Sequence, residues 1–593
     1  MNHYHTKMTR KGIIRFKDGK PSPLTNFQAK IIEEHVIHNA DNSISRKYLI
    51  TVKLDGKEYR NILVSAQDFE SLKWIKEGVG ADAIITTPSL NHEVANTIKL
   101  ESKKRRIVHQ YMRLGMLLGD TGMCYLNNGN IIFSDDFSID GEIQVKLSGK
   151  LANYSFPKST NDQKLEISSL RKLLEILNIS SNTPALGTIL LAAVTRAPLT
   201  EVHSTDFTAF IVGDTGSYKS AVAGVAQSAY GCNFKFNELP GSFSSTPLST
   251  ELEAITVQNA LYGVDDYVPA TGRRGEEQRT LVEILVRDNL NHSPRKRLHN
   301  GEQISPPPIN AVILYTGEYV FESEWHSIHA RILYCNVTYG DVDKKVLTTL
   351  QQAGKDGILS HALRAYIEYL LSIYKTLPRR LEKLNMKLRE KAILRLGDAS
   401  HGRYPYAVAD AMLGISLFLS YCKKIGAISD KRFQKLRIKC WNNLIAQAKE
   451  QPSIIEHYSQ HRILARSIGS LVKTGKYHIL DAKSGECPTG LQKTQTGWLN
   501  KKPSGNLLGW LDSKKDTLYI PANFQLSDIY LQLPEKLRRS IPTGQKAFWS
   551  HLSRIGLLTE TDICDGKNRV RRTFAGHERT SVYAVRASYV FDH

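Results

Sequence analysis

The sequence predicts a multidomain α/β protein: a strand-rich N-terminal region, an α/β core, a helical region and a C-terminal winged helix. Three observations predict this order. Short runs of alternating apolar and polar residues come first, apolar strand-like runs then alternate with helical segments, and a helical period dominates residues 345–475. A chain of 593 residues has room for about three or four domains. We place the domains at 1–165, 166–345, 346–480 and 481–593.

The composition is that of a soluble globular protein with a large positive charge. Lys and Arg total 79 and Asp and Glu total 58, a net charge of +21 that favours a polyanionic partner, above all nucleic acid. No run of about 18 apolar residues and no apolar leader occurs, so we expect neither a membrane span nor a secretory signal. The seven cysteines form no CxxC pair and no zinc-type cluster, which predicts reduced thiols in a cytoplasmic protein.

The N-terminal region is predicted to consist mainly of paired strands. The runs "RKYLITVKL" and "KEYRNILVS" alternate apolar and polar residues and meet at Asp55-Gly56, a strong hairpin signal. The acidic residues of "FSDDFSIDGE" are typical of turns rather than of a metal-binding carboxylate set. We therefore expect this region to contact DNA or other subunits, and expect no primase activity from it.

The stretch "AFIVGDTGSYKSAVAGVAQSAYG" is predicted to bind nucleotide phosphates. It follows the pattern G-x-x-x-x-G-K-[ST], except that Tyr218 stands in place of the last glycine. A strand-like run precedes the loop and a helical run follows it, so backbone N–H groups would face an anion. Lys219 would reach the β- and γ-phosphates, and the Ser220 hydroxyl would ligate Mg²⁺. The predicted phosphate-binding residues are Gly213, Asp214, Thr215, Gly216, Ser217, Tyr218, Lys219 and Ser220.

Three further strand ends complete a set for nucleotide hydrolysis. The strand in "NALYGVDDY" ends at Asp265, predicted to hold Mg²⁺, and Asp266, predicted to polarise the attacking water; an Asp-rich turn is the simpler alternative. The strand in "INAVILYTGE" ends at Thr316, which would sense the γ-phosphate, while Glu318 is the weaker candidate. Arg331, before "ILYCNV", would reach the γ-phosphate of a neighbouring subunit. Each pattern is weak alone, but the four occur in the order of one ATPase domain.

This order of motifs resembles an AAA+ or superfamily-3 helicase core. "GDTGSYKS" is most similar to the MCM loop "GDPGTAKS", in which the residue before the lysine is also not glycine, and Arg331 resembles the MCM arginine finger. Segments from "LTNFQAKIIEEHVI" to "TSVYAV" resemble MCM-like ATPases of phages, pathogenicity islands and staphylococcal cassette elements. The sequence departs from these relatives at Asp266, Thr316 and His329, where they usually have Glu, often Asn and often a second Arg. The departures bear on the rate more than on the reaction type.

The resemblance implies a hexameric helicase that uses ATP and Mg²⁺ and starts replication of a mobile genetic element, moving 3′ to 5′. ATP would lie between subunits, with Arg331 completing the site of the neighbour. The implied partners are DNA, as a single strand in the channel and as origin duplex at the winged helix, further copies of the chain, and other replication proteins such as a primase.

Two basic segments are predicted to contact DNA. Residues 293–301 have the length and turn residues of a β-hairpin, and in MCM-like proteins a hairpin at this place enters the central channel. Arg295, Lys296, Arg297 and His299 would contact phosphates there; a solvated basic loop is the alternative. The run "TGQKAFWSHLSRIGLL" is predicted to be the recognition helix of the winged unit, although winged helices also bind proteins. Its polar face would carry Lys546, His551 and Arg554, and the wing would carry Arg569, Arg571 and Arg572.

Two other functions agree with the same motifs. An ATP-driven switch or DNA-bound scaffold, with a defence or regulatory role, would share every nucleotide motif. A degenerate ATPase would serve as an origin-binding protein without unwinding. The basic run "PRRLEKLNMKLREKAILRLG" is most simply a solvated helix face.

Overall fold

The protein is described by a computed structural model with mixed α/β architecture, in which a parallel sheet, antiparallel sheets, sheets with both kinds of pairing and many helices occur. The predicted class, a multidomain α/β protein, agrees with this architecture. The structure describes residues 4–160, 162–270, 272–291, 297–299, 302–304, 307–321, 326–397, 402–473, 476–487, 505–533, 538, 544–554, 556–561 and 568–591.

Paired strands form most of the N-terminal region. The elements are β1 (Tyr4–Thr9), β2 (Gly12–Lys17), β3 (Lys20–Pro23), β4 (Gln28–His38), β5 (Ile44–Leu54), β6 (Lys57–Ser65), α1 (Lys73–Gly78), α2 (Asn91–Glu101), β7 (Arg106–Tyr111), β8 (Gly115–Leu118), β9 (Met123–Leu126), β10 (Ile132–Phe133) and β11 (Glu142–Val145). They form sheets in the orders β1-β2-β3, β11-β7-β4-β5-β6 and β10-β9-β8. β5 and β6 pair antiparallel across Asp55 and Gly56, both with positive φ (48° and 79°), which confirms the predicted hairpin.

A five-stranded parallel sheet lies at the centre of the chain. The elements of this region are α3 (Gln163–Leu174), α4 (Pro184–Arg196), β12 (Thr208–Val212), α5 (Lys219–Ser228), β13 (Gly241–Ser242), α6 (Pro247–Thr256), β14 (Leu261–Tyr267), α7 (Gly272–Val282), α8 (Asn289–Asn291), β15 (Arg297–His299), β16 (Glu302–Ile304), β17 (Val312–Gly317), α9 (His326–His329) and β18 (Ile332–Asn336). The strand order is β13-β14-β17-β12-β18, with every pair parallel. β12 and β17 are buried throughout, as parallel strands covered on both faces are. Because parallel strands end on one edge, the residues after β12 meet the ends of β14 and β17.

Helices follow the sheet. They are α10 (Lys344–Lys355), α11 (Ile358–Ser372), α12 (Leu377–Leu396), α13 (Tyr404–Lys424), α14 (Asp430–His457) and α15 (Gln460–Lys473). α14 covers the outer strand of the sheet: the Tyr334 N–H donates to Gln451 Oε1, and the amides of Gln447 and Gln451 donate to the Tyr334 carbonyl, each over 2.9 Å. Side chains of a helix thus satisfy backbone groups at the edge of β18.

Burial explains both the most apolar helix and the cysteines. Among the described helices, only α13 is long and apolar enough to cross a membrane by length and composition, and 89% of its apolar window is buried inside the protein. α13 is therefore placed as a core helix. The six described cysteines are free, and four of them are buried. Burial raises the pKa of Cys440 to about 11, so this thiol is protonated at neutral pH.

The C-terminal region is a second mixed unit. Its elements are β19 (Tyr477–Asp481), β20 (Asn506–Asp512), β21 (Thr517–Pro521), α16 (Leu526–Gln532), α17 (Gln545–Arg554), β22 (Leu558–Glu560), β23 (Val570–Phe574), β24 (His577–Arg586) and α18 (Ala587–Phe591). The sheet has the order β19-β20-β21-β24-β22, and β23 forms a hairpin with β24. Trp549 of α17 stacks on Tyr583 of β24 with ring centroids 3.9 Å apart, which holds the helix on the hairpin.

Candidate nucleotide-binding site

The loop 213–218 connects β12 to α5, and its backbone explains the residues it carries. A Cβ on Gly213 would lie 2.0 Å from the Val337 carbonyl oxygen, so no side chain fits there. Gly216 has φ 85°, and Tyr218, the residue before α5, has φ 66°. Both lie in the left-handed region, which glycine adopts at least cost. The first N–H groups of α5 have no partner inside the helix, so this end of the loop can bind an anion.

The ends of three chain segments meet in one hydrogen-bonded cluster beside this loop. The Ser220 hydroxyl donates to Asp265 Oδ1 over 2.8 Å. The Thr316 hydroxyl also donates to Asp265 Oδ1 and accepts the backbone N–H of Asp266 over 3.1 Å. The structure therefore places Ser220, Asp265, Asp266 and Thr316 within one site.

A β-bulge shapes the end of β14. The pairing of β14 with β17 shifts register between Val264 and Tyr267, and Asp266 in this bulge has φ 58°. Bulges re-aim side chains and recur next to active sites. Here Asp266 is exposed while Asp265 is half-buried, so the two adjacent carboxylates stand in different environments.

The donor set suits a phosphate chain with Mg²⁺. Lys219 Nζ donates to the Asp214 carbonyl over 2.6 Å, so the ammonium group lies over the loop. Hydroxyl and carboxylate oxygens are the ligands that Mg²⁺ prefers, and it usually takes one or two protein ligands beside water and phosphate oxygens. Ser220 and Asp265 match that pattern. No cluster of three or more His, Cys, Asp or Glu side chains that could hold a metal occurs in the described part of the chain.

A cavity of about 520 Å³ opens beside the loop and contains groups that the sequence did not single out. Its lining includes Asp214 and Thr215 of the loop, Glu318 after β17, and His457 and Arg466. The Thr215 hydroxyl donates to Glu318 Oε1 over 2.5 Å, which ties the loop to β17. Glu318, the weaker candidate by sequence, thus touches the phosphate loop.

Arg466 is the cation of this cavity. Its Nη2 lies 2.7 Å from His457 Nδ1. Burial and then Arg462 lower the pKa of Arg466, whereas the Asp214 carboxylate raises it. Burial and then Arg466 lower the pKa of His457, which favours the neutral ring that accepts this hydrogen bond. Sequence reasoning missed Arg466; the one available signal was a basic residue on the helical run after the core.

Arg331 and the loop lie at opposite ends of the parallel strands. Its carbonyl accepts the N–H of Thr208, the first residue of β12, over 3.2 Å. The loop begins after Val212, the last residue of β12, so the two sites are separated by a strand of about 16 Å. An arginine side chain is shorter than this strand, so Arg331 cannot contact phosphates that its own loop would bind. His329, two residues earlier, is buried, with Nδ1 2.9 Å from the Tyr334 hydroxyl.

Arg331 is also largely buried, with 5% exposure. Its Nη2 donates to Asn291 Oδ1 over 2.9 Å. Burial, and then the positive charges of Arg403 and Arg287, lower the pKa of Arg331 to about 10. The guanidinium is still charged at neutral pH. Arg331, Arg403 and Arg287 thus place three positive charges near one another at this end of the parallel strands.

The predicted central hairpin is only partly within the described residues. β15 pairs antiparallel with β16, from Arg297 opposite Ile304 to His299 opposite Glu302, so the second strand lies beyond the predicted bounds of 293–301. Arg295, Lys296, Asn300 and Gly301 lie outside the described residues.

The predicted DNA-binding residues of the C-terminal region differ in whether the side chain forms an ion pair. Lys546 and Arg554 of α17 are exposed, as are Arg569 and Arg571. Arg572 forms an ion pair with Glu560 over 2.6 Å.

One side chain predicted for the polar face of α17 is in the core. His551 is 5% exposed, and its Nδ1 lies 3.1 Å from Arg554 Nη2. Burial and then Arg554 lower the pKa of His551 to about 4, so the ring is neutral at pH 7. The prediction for His551 is wrong because this position of α17 lies on the packed face with Phe548 and Leu552.

Comparison with known proteins does not assign a family to the chain. No family model and no curated protein matches the chain. A solved structure titled "SCCmec type IV Cch - active helicase" aligns over 99% of this chain and 98% of its own, with 12% identity and a TM-score of 0.46. At that identity and score the likeness is loose and assigns neither family nor activity.

Proposed function

We propose that the protein is an ATP-dependent DNA helicase or translocase that works as a homo-oligomer, a hexamer by its resemblance to MCM-like ATPases. Its task would be to start replication of a mobile genetic element. The observation that carries the ATPase part is the contact of Ser220 with Asp265 beside the phosphate loop. A hydroxyl from the start of α5 and a carboxylate from the end of β14 meet where Mg²⁺ and phosphates would be held.

Each residue of the site has a role that its position supports. The loop N–H groups and Lys219 would bind the phosphates. Ser220 and Asp265 would hold Mg²⁺, which when bound neutralises charge on the transferred phosphoryl group. Asp266 would orient and polarise the attacking water. Thr316 is 1% exposed and hydrogen-bonds both acids, so its first role would be to position them, and its contact with the γ-phosphate stays a prediction.

The position of Arg331 supports a site shared between subunits. Because β12 separates Arg331 from its own loop, a nucleotide phosphate that it contacts would belong to a neighbouring subunit. Its 5% exposure means that a neighbouring subunit would have to dock against this end of the strands, or the side chain would have to turn outward. An arginine supplied in trans stabilises charge in the transition state of phosphoryl transfer.

DNA is the partner that the charge and the hairpins favour. The net charge of +21 favours phosphate contacts. The β15–β16 hairpin follows β14, the strand that ends at Asp265 and Asp266. Movement of this hairpin on hydrolysis would pull one DNA strand through the ring. The α17 helix with the β23–β24 hairpin has the helix-and-wing order of a winged helix, and we propose that it binds origin duplex.

The test combines ATPase turnover, with and without single-stranded DNA, with the mass of the oligomer. We expect DNA to stimulate turnover and the mass to be that of a ring. Lys219→Ala should abolish turnover, whereas Lys355→Ala, at an exposed lysine outside the site, should leave it unchanged.

Strand displacement on a forked duplex separates a helicase from the two alternatives. Hydrolysis without unwinding would indicate a switch or scaffold. Undetectable hydrolysis with tight, sequence-selective duplex binding would indicate an origin-binding protein.

A further inference from the structure

A row of five cations runs along the outside of α12. The five are Arg379, Lys383, Lys387, Lys391 and Arg395, spaced four residues apart, and all are exposed. Within the described part of the chain, none of these side chains forms an ion pair or hydrogen bond. Residues four apart are neighbours on a helix surface, and each step turns about 40° around the axis, so the five form one continuous row that winds around the helix by about 160°.

The other side of α12 packs against the rest of the protein, so the row of cations faces solvent. Leu381, Leu388 and Ala392 are buried on the packed side of the helix. Arg389 is paired with Asp206, and the Asn385 amide contacts His203. The cation nearest the core is thus neutralised by a partner, while the row on the outside is not.

The charge pattern differs from that of a helix face that only meets water. Like charges four residues apart destabilise an isolated helix, whereas a Glu four residues before a Lys stabilises it. The two acids of the helix, Glu382 and Glu390, are each followed four residues later by an apolar side chain, Met386 and Leu394. These two side chains are 59% and 83% exposed. The pattern combines repulsion within the row with exposed apolar surface, and an anionic partner along the row relieves the repulsion.

We infer that the α12 row is a second DNA-binding surface, which contacts the sugar-phosphate backbone outside the central hairpin. Four helical residues rise about 6 Å, close to the rise of about 6.8 Å over two steps of one DNA strand. A strand that follows the winding of the row around α12 would bring phosphates to successive cations. The inference rests on the proposed function in taking DNA as the polyanion, but not on ATP hydrolysis.

The test replaces all five cations with Gln, which keeps helix propensity close to that of Lys and Arg. A matched control replaces five exposed cations of α14, a helix for which no DNA contact is predicted, with Gln: Lys431, Arg432, Lys435, Arg437 and Lys449. Fluorescence anisotropy of the full-length, nucleotide-free protein measures binding to a single-stranded oligonucleotide and to a duplex over a series of salt concentrations. A third variant, with Lys383, Lys387 and Lys391 changed to Arg, tests whether charge alone is sufficient.

We expect the row variant to bind DNA at least ~10-fold more weakly at low salt, with a slope of log K against log salt smaller by about 3–4. The Lys→Arg variant should bind like wild type, and DNA-free ATPase turnover should be unchanged in all three variants. Unchanged affinity and slope in the row variant, or an equal loss in the control, overturns the inference. Loss of binding to poly-glutamate without loss of DNA binding would overturn it in favour of an acidic protein partner. A wild-type protein that binds no DNA contradicts the proposed function as well, so the two failures are distinguishable.

Discussion

Tyr218 has φ 66° and ψ 20°, a left-handed conformation that a non-glycine residue adopts at a cost of about 1–2 kcal/mol. The conformation lets the chain turn from the loop into α5, and it explains why glycine is usual at this position of phosphate loops. The ring is 38% exposed, and the Lys344 ammonium lies 5.7 Å from its centroid. The contact with Lys344 does not involve the loop backbone, so the structure separates the backbone shape from the side chain.

We expect Tyr218→Gly to leave ATP binding intact, because glycine adopts the same φ without strain. Its greater freedom in the unfolded chain offsets that relief, so the free energy of unfolding should change by less than about 1 kcal/mol. Tyr218→Val should weaken both properties, since a β-branched residue is a poor fit to positive φ. Nucleotide titration and thermal unfolding of both variants measure this. If Gly and Val weaken ATP binding equally, the ring and not the backbone is what the site needs.

At this scale the predictable residues are those whose role follows from local chain geometry. Asp55-Gly56 was predictable because a two-residue hairpin turn needs positive φ at both positions. The environment of Asp266 was not, because it depends on a bulge against β17. Arg466 and His551 were missed or misplaced because their surroundings are set by elements distant in the sequence.

At the scale of elements, a buried ion pair links the helical region to the sheet. Arg196 at the end of α4 and Asp410 of α13 are both fully buried, with Nε 2.8 Å from Oδ1. Asp410 Oδ2 also accepts the Thr205 hydroxyl and the Asp206 N–H, over 2.9 and 2.8 Å. One carboxylate therefore holds α4, α13 and the approach to β12 together.

Asp410→Asn should destabilise the protein by about 3–5 kcal/mol, because it leaves the Arg196 charge buried without its counter-ion. Glu277→Gln breaks the exposed pair with Arg273 on α7 and should cost less than about 1 kcal/mol. Thermal unfolding of the two variants under the same conditions compares them, with midpoints as the readout because a multidomain chain need not unfold in one step. Equal midpoints for the two variants would show that Asp410 does not stabilise the packing of these helices.

The sequence predicted the elements of the core better than their neighbours. Polar residues at the ends of apolar runs were expected to meet, because parallel strands end on one edge, and Ser220, Asp265 and Thr316 do meet. The coverage of β18 by Gln447 and Gln451 was beyond prediction, since those amides lie more than a hundred residues after the strand they bond. Helical periodicity shows that a face is buried but not what it is buried against.

At the scale of the whole molecule, the predicted phosphate loop lies at one end of the parallel strands and Arg331 lies at the other end. A head-to-tail ring joins unlike surfaces of successive subunits. It can therefore bring the surface around Arg331 of one subunit to the loop of the next. A lone chain would then hold two incomplete half-sites. Under the proposed function, hydrolysis depends on assembly, and each site draws its residues from two chains.

Mixing two inactive variants tests this arrangement directly. Lys219→Ala and Arg331→Ala should each abolish hydrolysis, and Arg331→Ala should still bind ATP, because the arginine contributes only to the neighbour's transition state. Random rings from an equal mixture should regain about a quarter of wild-type turnover, since a subunit with Lys219 is followed by one with Arg331 at that fraction of interfaces. The measurement is ATPase turnover against mixing ratio, with a maximum expected at equal amounts. Mixing Lys219→Ala with Ser220→Ala is the control: both changes lie at the same end of the strands, every interface lacks one of the two, and no activity should return. Wild-type turnover by Arg331→Ala alone, or no recovery in the first mixture while both variants still form rings, would falsify the shared site.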